Sequence, residues 1–253
     1  SVQGAVASFA APIQADTDPQ AEVLLAHDNT LTLHEADGTL RWSRPVDSGR
    51  RPGPPCVGDL DGDGWSEVVV PGRHHLHAHD RHGTLLWRHR IDDASGAAGC
   101  AVFDLDDDGD YEVIYADMHD LWVIDGQTGA ILHRDGTHDA VTFFETPSIA
   151  DIDGDGSAEV VVAASGLHGL QGITVFTHPD DAWPAAGPAW AVHDFTLSRV
   201  GRSGAVPGHP TPGWLRHGLF RGRPSIDQQA WADLGIQVDG LCVASCVPGG
   251  LLR

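Results

Sequence analysis

Residues 59–70 read "DLDGDGWSEVVV". Aspartates stand at alternate positions (Asp59, Asp61, Asp63), Gly64 follows, Glu67 comes three residues later, and the chain passes directly into a β-branched run. The pattern returns as "DLDDDGDYEV" from Asp104 and "DIDGDGSAEV" from Asp151, so the second copy starts 45 residues after the first and the third 47 residues later. Stepping back 45 residues from Asp59 reaches "QADTDPQAEV" at Gln14, which keeps Asp16, Asp18 and Glu22 but lacks the first aspartate and the glycine.

A second motif repeats in phase with the first. "LTLHEADGTLRW" (31–42) matches "LHAHDRHGTLLW" (76–87) and "LWVIDGQTGAILH" (121–133), and "ITVFTHPDD" (173–181) begins a looser fourth copy. The DG and HG pairs inside these copies are hairpin-turn signals. Each unit therefore reads as acidic loop, strand, turn, strand, tight turn, strand. Several short strands recurring radially about every 45 residues predict an all-β fold, a β-propeller of about five blades or part of a larger one. The repeats occupy 1–190, a propeller-closing segment 191–235, and one or two strands 236–253 that read as the start of a truncated following module.

Composition agrees. The chain has 253 residues, 41% of them hydrophobic, with 31 Gly, 16 Pro and a single Met, which favours many turns and few long helices. Asp and Glu number 36 against 15 Lys and Arg, a formal charge of −21. That balance argues against nucleic acid and anionic membrane as partners and favours bound cations. No apolar run is long enough to span a bilayer. No signal peptide is visible, and the Ser1 start suggests that a leader or upstream region precedes it. Of the four cysteines, Cys56 and Cys100 lie in apolar stretches and read as buried thiols. Cys242 and Cys246 pair only if the chain bends, because a straight strand would hold them ~13 Å apart.

Carboxylates gathered this tightly repel one another unless a cation lies between them. Hard oxygens in this number suit Ca²⁺, which takes roughly 6–8 of them. Gly64, Gly109 and Gly156 supply the left-handed turn that lets the chain close round an ion. An EF-hand also begins D-x-D-x-D-G, but its acid stands at position 12, where this chain has Val70, Tyr115 and Val162. Here the acid is at position 9 and a strand follows. Each loop is thus expected to clip the start of a blade.

The D-x-D-x-D-G-x-x-[DE] loop opening a strand resembles the FG-GAP/VCBS-type repeats of integrin α-chain propellers and bacterial surface proteins, over about residues 10–190. The resemblance implies three Ca²⁺ sites, with side-chain ligands at positions 1, 3, 5 and 9 and a carbonyl at 7. These are Asp59, Asp61, Asp63 and Glu67 with the Trp65 carbonyl; Asp104, Asp106, Asp108 and Glu112 with that of Asp110; and Asp151, Asp153, Asp155 and Glu159 with that of Ser157. The first loop departs at Gln14 and Pro19 and is expected to be empty or weak. The resemblance further implies a secreted or cell-surface binding or adhesion module with a protein or glycan ligand. A subunit of a surface assembly and a polysaccharide-lyase-like enzyme are the alternatives. No catalytic constellation is legible.

Two features are read as packing. Trp42 and Trp87, at equivalent places in "GTLRW" and "GTLLW", resemble the tryptophans of quinoprotein dehydrogenase propellers but are expected to pack blade against blade. "RHHLHAHDRH" (73–82) would put His75, His77 and His79 on one strand face, where an H-x-H pair can ligate zinc or copper. The equivalent positions in the other repeats (Thr32 and His34, Trp122 and Ile124) favour packing.

Overall fold

The computed structural model describes residues 9–225 apart from 48, 50–51, 94, 139, 141–144, 166–170, 191, 197–207, 210–211 and 217. Cys242 and Cys246, whose pairing depends on a bend in the chain, and the strands expected at 236–253 lie outside the described residues.

The described chain forms four antiparallel meanders, three of four strands and one of three. Blade one is β1 (Phe9–Ile13), β2 (Glu22–His27), β3 (Thr30–His34) and β4 (Leu40–Pro45). Blade two is β5 (Cys56–Gly58), β6 (Glu67–Pro71), β7 (His75–His79) and β8 (Leu85–Arg90). Blade three is β9 (Cys100–Phe103), β10 (Glu112–Ala116), β11 (Leu121–Ile124) and β12 (Ile131–Asp135). Blade four is β13 (Ser148–Ala150), β14 (Glu159–Ser165) and β15 (Gln171–Phe176). One short helix, α1 (Gly213–Arg216), is the only helix among the described residues. The fold is an all-β propeller.

Burial explains the sequence pattern. Every residue of β6 and β10 is buried, because the second strands of blades two and three carry neighbours on both faces, whereas β2 and β14 of the flanking blades keep exposed positions. That is why "EVVVP" and "EVIYA" are continuous apolar runs rather than alternating ones. β8 and β12 are mostly exposed and form the outer edge. First strands of successive blades touch one another (β1 with β5, β5 with β9, β9 with β13), so they line the inner side.

The acidic loops do not begin the blades. Each joins the first strand to the second, and its glutamate opens the second: Glu22 pairs with Ile13, Glu67 with Gly58, Glu112 with Phe103 and Glu159 with Ala150. The first strand was hard to read because it is only three to five residues long and, in blades two and three, buried throughout. Such a strand shows no period-2 alternation.

Trp42 and Trp87 pack between blades, as expected. The Trp42 indole donates to the Arg81 carbonyl (2.9 Å) and that of Trp87 to Gly126 (2.5 Å), each in the next blade's third-to-fourth-strand hairpin. A Cβ on Gly83 or Gly129, both left-handed, would lie 2.8 Å from the indole it faces. Glycine in the turn is thus required twice, by φ and by the ring.

Cys56 and Cys100 are not free thiols. They form a disulfide between the inner strands of blades two and three, with Cα atoms 5.5 Å apart and a sequence separation of 44. That separation is one residue short of the 45-residue repeat, so the two cysteines are offset by one place: Cys56 stands opposite Val69, and its counterpart on β9, opposite Ile114, is Ala101. Adjacent inner strands bring those places together, which no spacing rule for small disulfide scaffolds would reveal.

The tail returns to the inner strands. Val57 bridges Phe220 and Val102 bridges Gly222, so residues 220–222 cross β5 and β9. Arg221 and Arg223 are both buried there. Arg221 pairs with Asp194, and Arg223 donates to the carbonyls of Gly187 and Ala189 (both 2.6 Å), its guanidinium 4.5 Å from the Phe195 ring.

Candidate metal centres

All four loops share part of one internal hydrogen-bond plan. The ninth-position glutamate accepts the N–H of the second residue: Glu67 from Leu60 (2.9 Å), Glu112 from Leu105 (2.6 Å), Glu159 from Ile152 (2.8 Å) and Glu22 from Ala15 (2.6 Å). In the three full-length motifs the first aspartate accepts from the glycine at position 6: Asp59 from Gly64 (2.9 Å), Asp104 from Gly109 and Asp151 from Gly156 (3.2 Å each). The fifth-position aspartates accept from the seventh-position N–H: Asp63 from Trp65, Asp108 from Asp110 and Asp155 from Ser157. Asp104 and Asp151 accept through their other oxygen as well, from the Asp108 N–H (3.2 Å) and the Gly154 N–H (2.6 Å), so both oxygens of these two carboxylates are tied to backbone.

The geometry draws most of the expected side-chain ligands together. Asp59, Asp61, Asp63 and Glu67 each offer an oxygen, all within 4.8 Å of one another. The same holds for Asp104, Asp106 and Asp108, with Glu112 outside the cluster, and for Asp151, Asp153 and Glu159, with Asp155 outside it. Asp59 Oδ1 is buried without a protein hydrogen-bond partner, an acceptor that a cation, a water or a proton would satisfy. Burial pushes the carboxyls of Glu67 and Glu112 up to about 8, with the neighbouring aspartates adding to it and the single N–H bond opposing it. Burial likewise raises Asp59, Asp104 and Glu159. Groups arranged this way suit a bound cation of the hard, oxygen-seeking kind.

Left-handed backbone recurs at two loop positions. Gly64, Gly109 and Gly156 have φ of +85°, +99° and +93°, as read from sequence. Position 4 is left-handed too, with Gly62 at +70°, Gly154 at +81° and the non-glycine Asp107 at +60°. Asp107 also accepts the Ser225 hydroxyl (2.9 Å), so that its side chain faces the tail rather than the loop.

The first loop holds a cation of its own. Arg41 on β4 reaches Asp16 (Nη1–Oδ2 2.8 Å) and Glu35 (3.4 Å). Gln14 donates to the carbonyls of Asp16 (2.7 Å) and Asp18 (2.5 Å), directing an amide N–H where the other loops direct a carboxylate. The Asp18 N–H and then Arg41 hold the Asp16 carboxyl below its usual value. Sequence comparison along the loop could not reveal Arg41, because it arrives from another strand. The signal was its place in "GTLRW", where the next repeat has Leu86.

Beside the loop at 104–112 a cleft of about 680 Å³ opens between blades three and four. Asp106 and Glu112 lie at one side of it, Phe176 and Trp183 at another, and His133 and His178 supply further polar edges.

No family model matches the chain, and no curated protein matches it. Among solved structures it is similar to the V. cholerae biofilm matrix protein Bap1, at 22% identity over 83% of this chain and 35% of that one, with a TM-score of 0.59. It is also similar to the exotype rhamnogalacturonan lyase YesX, at 17% identity over 70% of this chain and 37% of that one, TM-score 0.51. The Bacillus licheniformis rhamnogalacturonan lyase PL11 gives 19% identity over 66% and 37%, TM-score 0.50. This chain thus spans little more than a third of the length of those proteins. The likeness is one of fold. No helix among the described residues is long and apolar enough to cross a membrane.

Proposed function

We propose that this chain is a calcium-stabilised propeller of the FG-GAP/VCBS type that works outside the cell as a binding or adhesion module. The observation that carries the reading is the threefold return of one loop with shared hydrogen bonds and three or four converging carboxylates. Ca²⁺ would take the side chains of Asp59, Asp61, Asp63 and Glu67, of Asp104, Asp106, Asp108 and Glu112, and of Asp151, Asp153, Asp155 and Glu159, with the carbonyls of Trp65, Asp110 and Ser157. Loops of this kind suit the millimolar calcium of extracellular fluid. The Cys56–Cys100 disulfide supports an oxidising compartment.

The ligand we favour is a glycan, met at the cleft between blades three and four. Its aromatic side chains offer faces for sugar rings, and the carboxylates of Asp106 and Glu112 would place an ion at the rim. Bap1 is a biofilm matrix protein and two of the similar structures act on rhamnogalacturonan, which supports carbohydrate as the class. Binding is favoured over cleavage because the cleft's carboxylates, Asp106 and Glu112, are those assigned to the ion. The test is retention of the full chain on immobilised acidic and neutral polysaccharides, with Ca²⁺ and with chelator, run beside an assay for unsaturated uronate product. Calcium-dependent retention lost in Trp183→Ala is the expected result. Turnover to unsaturated product would favour the lyase alternative, and no retention on any polysaccharide would favour a protein ligand.

A further inference from the structure

The histidine-rich strand β7 forms a cluster that the calcium loops do not explain. His75 Nδ1 and His77 Nε2 both face one carboxylate, that of Asp47, which comes from the segment after β4 in the neighbouring blade. The His77–Asp47 contact is 2.7 Å (Nε2 to Oδ1), and His75 meets the other oxygen, Oδ2. All three donor atoms lie within 4.8 Å of one another. His77 is buried, while His75 and Asp47 are partly open to solvent.

Backbone contacts hold the three in place. The turn from β6 to β7 is closed by Gly72 N–H to the His75 carbonyl (2.8 Å), and Arg73 N–H in the same turn donates to the Asp47 carbonyl (3.0 Å). A Cβ on Gly72 would stand 2.7 Å from Asp47 Oδ1. Glycine there leaves the space the carboxylate occupies. The equivalent places one repeat on are Asp92, Asp120 and Trp122, and that junction is closed differently. Arg134 binds Asp120 through two nitrogens (2.7 and 2.9 Å), and the Trp122 indole donates to Asp117 (2.9 Å). Blade packing therefore does not need imidazoles at these places.

We propose that Asp47, His75 and His77 form a binding site for a borderline divalent ion of the zinc class, separate from the acidic loops. Two imidazole nitrogens and one carboxylate oxygen are the donor set Zn²⁺ takes at roughly 2.0–2.2 Å, with a fourth position for water on the open side. Tetrahedral bonds of that length put donors ~3.4 Å apart. The His77–Asp47 contact then widens by under an ångström as the metal replaces the shared proton. Ca²⁺, which seeks six or more oxygens, is a poor match for this set. The inference does not depend on the proposed calcium or glycan function.

The experiment uses the untagged full chain saturated with Ca²⁺. Zn²⁺ is titrated calorimetrically, and Co²⁺ serves as a visible-absorption probe of nitrogen ligation. One equivalent of Zn²⁺ that Ca²⁺ does not displace is expected, weakened at least tenfold by Asp47→Asn and by His75→Gln and unchanged by His82→Gln, an exposed histidine outside the cluster. His77→Gln is the third arm, its folding checked by thermal melting; should it fail to fold, the two partly exposed positions decide. Absence of Zn²⁺ binding overturns the proposal, and so does binding of equal strength in Asp47→Asn and His75→Gln, which would place the ion elsewhere.

Discussion

Replacing Glu67 by Gln should change stability with opposite sign in chelator and in calcium. Without an ion, burial holds the Glu67 carboxyl at about 8 against an ordinary 4.5. Between those values the folded state keeps a proton that the unfolded chain has released. The unfolded state then binds fewer protons, so stability falls as pH rises through this window. At about 1.4 kcal/mol per pH unit the penalty approaches roughly 3 kcal/mol at pH 7, an upper value because the site is partly hydrated, and is under about 1 kcal/mol at pH 5. Glutamine keeps an oxygen for the Leu60 N–H and carries no proton to lose. Glu67→Gln should therefore raise the melting temperature in chelator at pH 7 and change it little at pH 5. With Ca²⁺ present the order inverts, because the ion loses a charged ligand and the stabilisation it gives by mass action shrinks. Calorimetric scans of both proteins under the four conditions measure this directly. A melting temperature that falls equally in chelator at both pH values would refute the burial argument. A rise of the same size with and without Ca²⁺ would refute the assignment of Glu67 as a ligand.

Chelation alone should lower the melting temperature of the wild-type protein strongly, and an unchanged scan would remove calcium from the account. Asp106→Ala should weaken one class of sites in a calcium titration, whereas Asp107→Gly should leave calcium affinity unchanged, since glycine holds this left-handed position in the other two loops; equal damage from both would show that the loop register is wrong. Arg41→Gln should let the first loop bind Ca²⁺, adding a site to the stoichiometry, because Asp16 and Glu35 would lose their internal cation. Reducing Cys56–Cys100, or replacing both by Ser, should destabilise by roughly 4 kcal/mol on chain-entropy grounds for a loop of this length, read as a lowered denaturation midpoint.

The propeller and its repeat were legible in the sequence because both depend on local rules. An Asp-x-Asp-x-Asp-Gly loop, a glycine hairpin and a doubly buried strand each leave a pattern within a dozen residues, and a period near 45 ties them together. The loop side chains were legible for the same reason: residues 59 to 67 form their cluster without help from elsewhere. Apart from the tryptophans of "GTLRW" and "GTLLW", what joins one repeat to another left no such pattern. The Cys56–Cys100 bond, the crossing of residues 220–222 over β5 and β9, and Asp47 against His75 and His77 are contacts between different repeats, and the Arg41 guanidinium reaches the first loop of its own blade from 25 residues away. Their partners are chosen by which strands lie innermost and by how the blades stack, and that arrangement is a property of the whole packed core. Sequence alone determined what each blade is made of; only the tertiary structure decided which charges, thiols and imidazoles meet across the blade boundaries, because those meetings depend on the angle and distance between sheets and not on any local preference of the chain.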